Sequence, residues 1–232
     1  MIRRILKAII AKKAETFAEP KKHRIDDSWP LGIKLGRTVN LEETPFLLAD
    51  GTIVKFPGLN HVIKAVGIAR ISIATGVKIY RLYLENIGAS EDKESVLQIA
   101  VDEKSDEVLE CILYRQYVEI CPQTVDEWAI WLNENNGIIG YKDMSTPNEL
   151  TYSRVTPDGG NKVAPFAWRE YLTDDPYREE IASIDYQSAV YGRSLGEDGT
   201  EYLLVSQITD NEGSYIRILV GIPMDADFIK IL

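Results

Sequence analysis

Period-two alternation dominates this chain and restricts it to sheet architectures. Val77, Ile79, Arg81 and Tyr83 alternate with Lys78, Tyr80, Leu82 and Leu84, so both faces of that strand are partly apolar. Residues 62–73 are rich in β-branched side chains and read as one long strand or two. Residues 96–101 and 108–117 form a further pair about the charged turn at 102–106. Shorter strands are expected where Leu31, Ile33 and Leu35 alternate with Gly32, Lys34 and Gly36, and at 52–56 after the Asp50-Gly51 turn signal. Ala182, Ile184, Tyr186, Ser188 and Val190 alternate again, with helix as the other reading around 177–184. Residues 201–207 and 214–221 follow across the hairpin-like connectors Gly196-Glu197-Asp198-Gly199 and Asp210-Asn211-Glu212-Gly213. These last three strands imply an antiparallel meander. Strands and helices do not alternate regularly, which argues against a doubly wound parallel sheet.

One internal segment has the helical period. Thr124-Val125-Asp126-Glu127 fits a capping box, Trp128, Trp131 and Leu132 share a face, and Gly137 supplies a stop. The spacing predicts a core-facing helix of about three turns. The expected fold is therefore α+β: mostly antiparallel strands, one central amphipathic helix and an N-terminal helix. The strand-rich halves flanking the Trp128 helix leave two subdomains open as an arrangement of the body.

Charge divides the chain unevenly. Residues 1–24 hold eight Lys/Arg and two Asp/Glu, a net of +6; the remainder holds 18 basic and 34 acidic residues, a net of −16. Ile2, Ile5, Leu6, Ile9 and Ile10 recur at helical spacing, with Arg3, Arg4 and Lys7 on the opposite side. Such a helix can lie in an anionic membrane interface or in a partner's groove. These eight residues are the candidate attachment site; docking of the same helix on the body and a frayed tail are the other readings. Residues 1–28 are expected to be this basic helix plus a linker through Pro20 and the Lys21-Lys22-His23-Arg24 cluster. Residues 29–232 are expected to form the globular body. Arg3-Arg4 resembles part of an export signal, but the apolar run 8–11 ends at Lys12-Lys13, too short for one. Apolar runs elsewhere fall far short of the roughly 20 residues that span a bilayer. The expected location is cytoplasmic, at the inner face of the membrane where the helix holds it. Cys111 and Cys121 make no disulfide framework.

Little chemistry is legible. His23 and His61 form no short-spaced pair with Cys or another His, so neither metal nor cofactor is expected. Cys121, just before the Trp128 helix, is a candidate nucleophile with His61 as its base; small buried apolar thiols are the plainer reading of both cysteines. The acidic pairs Glu42-Glu43, Asp102-Glu103, Asp106-Glu107, Asp174-Asp175 and Glu179-Glu180 read as solvated surface. A body of net −16 repels nucleic acid. Tyr80, Tyr83, Tyr114, Tyr117, Tyr186, Tyr191 and Tyr202 lie in strand-like stretches. Exposed beside carboxylates, they would suit a cationic ligand such as a polyamine or a basic peptide.

An ordered set of short motifs resembles the uncharacterised bacterial YjfK-like proteins, a domain of unknown function. Pro30-Leu31-Gly32-Ile33-Lys34-Leu35-Gly36, then Val39, Leu41 and Pro45-Phe46, is similar to that family's opening. Val62-Ile63-Lys64-Ala65-Val66-Gly67, Arg81-Leu82-Tyr83, the Glu127-Trp128 to Trp131-Leu132 segment, Gly137-Ile138-Ile139-Gly140 and Tyr202-Leu203-Leu204-Val205-Ser206 follow in order. The resemblance carries over no catalytic residue. It implies a neighbourhood of membrane-stress proteins of the phage-shock type, and hence a role near the membrane. The leading expectation is a noncatalytic accessory or scaffold protein recruited to the membrane or to a membrane-associated partner. A cation-binding module and an unrecognised enzyme are the alternatives.

Overall fold

Eight strands close into a ring. The computed structural model describes residues 23–71, 74–87, 94–178, 181–196 and 199–232. The ring comprises β2 (Asn60–Ile71), β3 (Val77–Asn86), β4 (Ser95–Asp102), β5 (Val108–Ile120), β8 (Phe166–Thr173), β9 (Ala182–Leu195), β10 (Gly199–Asp210) and β11 (Gly213–Pro223). Around it the order is β2-β3-β4-β5-β11-β10-β9-β8, and β8 returns to β2; every pairing is antiparallel. Four shorter strands extend the sheet outside the ring: β1 (Thr38–Leu41), β6 (Asp143–Ser145), β7 (Thr151–Thr156) and β12 (Ile229–Ile231).

The fold is thus a closed antiparallel barrel, not the expected α+β arrangement about a central helix. The helices among the described residues are short and lie outside the ring: α1 (Thr44–Leu48) and α2 (Val125–Leu132), with three 3-10 turns. Helix α2 starts as its sequence requires. Thr124 Oγ1 accepts from the Glu127 N–H at 3.2 Å, while the Glu127 carboxylate reaches one residue further back, to the Gln123 N–H. It ends at Leu132, about a turn earlier than the period suggests. The Asn133 carboxamide accepts from the N–H groups of Asn135 and Asn136, and this Asx turn competes with helix continuation. None of its residues is fully buried; Trp128, Trp131 and Leu132 rest on the outer layer of the core. The expected N-terminal helix lies outside the described residues.

Two expected strands do not form. Pro30–Gly32 is a 3-10 turn, with Gly32 and Gly36 at φ of +69° and +81°, backbone that only glycine adopts freely. Residues 52–56 join no sheet. The Ile53 N–H is taken by the Glu201 carboxylate and the Val54 N–H by Thr52 Oγ1, so side chains replace ladder bonds. The alternative helix around 177–184 is not formed among the described residues, and β9 begins at Ala182.

Closure creates two cores. One fills the lumen and draws on all eight ring strands: Ala65, Ala69, Ile79, Tyr83, Val96, Ile112, Tyr114, Trp168, Ile184, Tyr186, Leu204 and Leu219 among others. The second lies between the outer wall and the covering segments, where Ile33, Leu41, Phe46, Val54, Ile139 and Tyr152 pack on Leu82, Leu97, Leu113, Leu203 and Val220. This explains strands that are apolar on both faces: one face is luminal and the other is roofed. On β8 the luminal face is buried, while Ala167, Arg169 and Tyr171 of the other face are exposed.

Candidate functional site

Three luminal positions depart from the apolar phase of their strands. Arg81 falls between Ile79 and Tyr83, Glu170 between Trp168 and Leu172, and Arg217 between Tyr215 and Leu219; all three are buried. Cross-strand register brings the first two together. Gly67 on β2 is opposite Arg81 of β3 on one side and Leu172 of β8 on the other. A Cβ at Gly67 would sit 1.7 Å from Glu170 Oε1, so the carboxylate occupies the space that the glycine leaves free.

Glu170 is the hub of the middle of the lumen. Arg81 Nη1 donates to it at 3.1 Å, Tyr83 donates at 2.8 and 2.9 Å, and Tyr186 donates at 2.6 Å. The Tyr186 hydroxyl also accepts from Arg81 Nη1 at 3.2 Å. The Arg81 guanidinium carbon lies 5.3 Å from the Trp168 ring, 5.5 Å from Tyr186 and 5.7 Å from Tyr83, within cation–π range of all three. Trp168 stacks on Tyr186 at 3.9 Å between centroids, and its indole N–H donates to Ser188, which shares a hydrogen bond with Ser206. Burial, with Glu170 adding to it, pushes the Tyr83 and Tyr186 hydroxyls well above their ordinary range, so both remain protonated donors.

A second charged group lies toward the end of the barrel where β3 ends and β4 and β11 begin. Arg217 Nη2 donates to Glu119 at 2.8 Å and to the Tyr215 hydroxyl at 3.2 Å. Glu94, whose backbone carbonyl accepts from Gln116 on β5, shares the phase of luminal Val96. Both Glu94 carboxylate oxygens are buried without a hydrogen-bond partner, as are Arg217 Nε and Nη1 and Arg81 Nε. Burial raises the Glu94 pKa, and the Arg217 guanidinium opposes that rise. Two guanidiniums, Arg81 and Arg217, therefore share this interior with three carboxylates, Glu94, Glu119 and Glu170.

The residues singled out from sequence lie elsewhere. Ile2, Arg3, Arg4, Ile5, Leu6, Lys7, Ile9 and Ile10 are outside the described residues. His61 is fully buried, its Nε2 2.9 Å from the Gly58 carbonyl, and burial lowers its pKa. Cys121 is exposed ahead of α2, whereas Cys111 is buried on β5 with its thiol pushed up to about 11 by burial. Tyr80, Tyr83, Tyr114, Tyr186 and Tyr191 are buried, not arrayed on a surface. Among the described residues no group of three or more His, Cys, Asp or Glu could hold a metal ion, and no helix is long and apolar enough to cross a membrane. Sequence reasoning missed Glu170 and Glu94 and placed Arg81 and Arg217 in strands without assigning them a role. The available signal was a charge at the apolar phase of an alternating strand.

Glu201 forms a further buried node, on the outer side of the ring. It accepts from Thr52 Oγ1 at 2.6 Å, the Ile53 N–H at 2.8 Å, the Tyr152 hydroxyl at 2.5 Å and Arg193 Nε at 2.7 Å. The donors come from three segments, so this carboxylate clamps the α1–β2 connector and β7 onto β9 and β10.

No curated protein and no solved structure matches the chain. A family model described as a protein of unknown function, DUF2491, matches residues 6–229. That span contains every motif of the resemblance and extends back into the basic segment. The chain belongs to this family of proteins of unknown function.

Proposed function

We propose that this protein is a noncatalytic adaptor, an acidic barrel held by its cationic, apolar-striped N-terminal segment at an anionic membrane surface on the cytoplasmic side. The observation that carries the reading is the charge division, +6 over residues 1–24 against −16 over the rest. An acidic body is repelled by anionic headgroups, so a basic segment of this kind directs attachment through one end of the chain. Two features support it. The buried Arg81 and Arg217 and the half-buried Arg193 each pair with a glutamate, so those pairs cancel and most of the acidic excess lies on the outside. The family match begins at residue 6, so most of the basic segment belongs to what the family shares.

Cosedimentation with lipid vesicles tests the reading. The full chain is expected to pellet with phosphatidylcholine/phosphatidylglycerol vesicles and to stay in solution with phosphatidylcholine alone, with binding that weakens as salt rises. Replacing Arg3, Arg4 and Lys7 by Glu removes the charge, and Ile5→Asp with Ile9→Asp removes the stripe; either change should abolish pelleting. Equal binding to both vesicle types, or binding unchanged in these variants, contradicts the adaptor reading.

A further inference from the structure

We infer that the acidic end of the barrel, beside which the N-terminal segment is rooted, is a second docking surface for that same segment, so that the body and an anionic membrane compete for residues 1–22. The competition rests on the membrane attachment proposed above.

Topology collects acidic connectors at this end. Here β3 ends and β4 begins, β8 ends and β9 begins, and β10 ends and β11 begins. The connectors are residues 87–94, 174–181 and 210–213, with net charges of −2, −3 and −2. At the opposite end, residues 72–76, 103–107 and 196–198 carry 0, −2 and −2. The chain enters at the more acidic end. The Ile25 N–H donates to the Pro176 carbonyl, in the β8–β9 connector, at 2.9 Å. Arg24 closes on the buried Asp26 carboxylate at 2.7 and 2.8 Å, and that carboxylate also accepts from the Leu35 N–H. Residues 1–22, net +5, lead into this anchored point. Tethered beside the connectors, the segment meets their carboxylates at an effective concentration on the order of millimolar, so ion pairs that are individually weak suffice to hold it.

A second observation points to the same end. Glu94, which closes the first of these connectors, is 3% exposed, and neither carboxylate oxygen accepts a hydrogen bond among the described residues. The positive charges that act on it are those of Arg217, of the chain's own amino terminus and of Arg81. The segment itself therefore supplies part of the compensation that a buried carboxylate requires. An unrelated basic peptide would have to displace a cation that is already covalently attached.

Carbodiimide cross-linking of the full chain, read by mass spectrometry, tests the docking, because it joins an ammonium to a carboxylate only where the two touch. Lys7, Lys12 and Lys13 are expected to join Asp174, Asp175, Asp210 and Glu212 in preference to Glu103, Asp106 and Glu107 of the opposite end. Phosphatidylcholine/phosphatidylglycerol vesicles should suppress these links, and phosphatidylcholine alone should leave them. Asp174→Asn, Asp175→Asn, Asp210→Asn and Glu212→Gln together remove the charge while keeping the side-chain acceptors of the turns. This variant should lose the links and bind the anionic vesicles about fivefold more tightly than the parent, as when roughly four-fifths of the molecules are latched. Glu103→Gln, Asp106→Asn, Glu107→Gln and Glu197→Gln, the matching change at the opposite end, should keep the links and tighten binding far less. Links spread evenly over both ends, or equal tightening by the two variants, overturn the inference. Vesicle binding absent from parent and variants, with the links present, overturns the adaptor reading and upholds the docking.

Discussion

Arg81 of β3 and Glu170 of β8 are not on neighbouring strands, yet they meet at 3.1 Å, because Gly67 of the intervening β2 has no side chain to separate them. The strand that closes the barrel is thus fastened by an ion pair passing over a glycine. Gly67 lies outside the positive-φ glycines, so space, not backbone conformation, dictates its identity.

Gly67→Ala should therefore destabilise the fold out of proportion to one methyl group. The new Cβ displaces the Glu170 carboxylate from Arg81 and the tyrosines. The expected loss is about 3 kcal/mol, the upper range for overpacking, read as a lower urea midpoint at unchanged m-value.

Removing both partners of the luminal pair should cost less than the two single changes add up to. Arg81→Met leaves Glu170 buried with only tyrosine donors, and Glu170→Gln leaves Arg81 short of its counter-charge. Each single change is expected to cost about 3–5 kcal/mol. The double variant should cost less than their sum by about 2 kcal/mol, measured as a double-mutant cycle in chemical unfolding.

Glu94 gives a pH signature of the opposite sense to an ordinary salt-bridged acid. Its folded-state pKa is raised by burial, so the folded state holds the proton more tightly than the unfolded chain. Its contribution is favourable below the unfolded value and is lost as pH rises through the folded value. Glu94→Gln, locked neutral, should match the parent near pH 4 and exceed it near pH 8 by about 1–3 kcal/mol. Thermal unfolding across that range checks the sign: a variant less stable at pH 8 than the parent would show that Glu94 is compensated.

The Glu201 clamp should hold the outer layer. Glu201→Ala strands Arg193 and Tyr152 and frees Thr52 and the Ile53 N–H, for an expected cost of about 3–5 kcal/mol. Thr52→Val removes one donor and should cost about 1 kcal/mol. Hydrogen exchange should then accelerate at the Ile53 and Val54 amides ahead of those in β10.

Local pattern made much of the ring legible. Strands β2 to β5 and the β9–β10–β11 meander announce themselves through alternation and turn residues, because hairpin neighbours need only short-range information. Strand β8 does not. Its inward phase, Phe166, Trp168, Glu170 and Leu172, carries a charge where a strand pattern calls for an apolar residue, and its partner β2 faces it across a long sequence distance, although β9 follows it directly. The capping box of α2 is equally readable, but not how briefly the helix runs or that it lies on the exterior. The candidate site was hidden for the same reason as β8: Arg81, Glu170 and Arg217 come from three strands and Glu94 from the residue just before a fourth, and each alone resembles a surface charge.

By itself the sequence determined most of the ring's extended segments and hairpin turns, and that its strands carry apolar residues on both faces. Tertiary structure decided which face looks inward and that β8 joins β2 to close the ring. It also decided that leftover charges meet inside the barrel. Period two defines two faces but cannot name them when both are buried, one by the lumen and one by the covering layer; only closure breaks that tie.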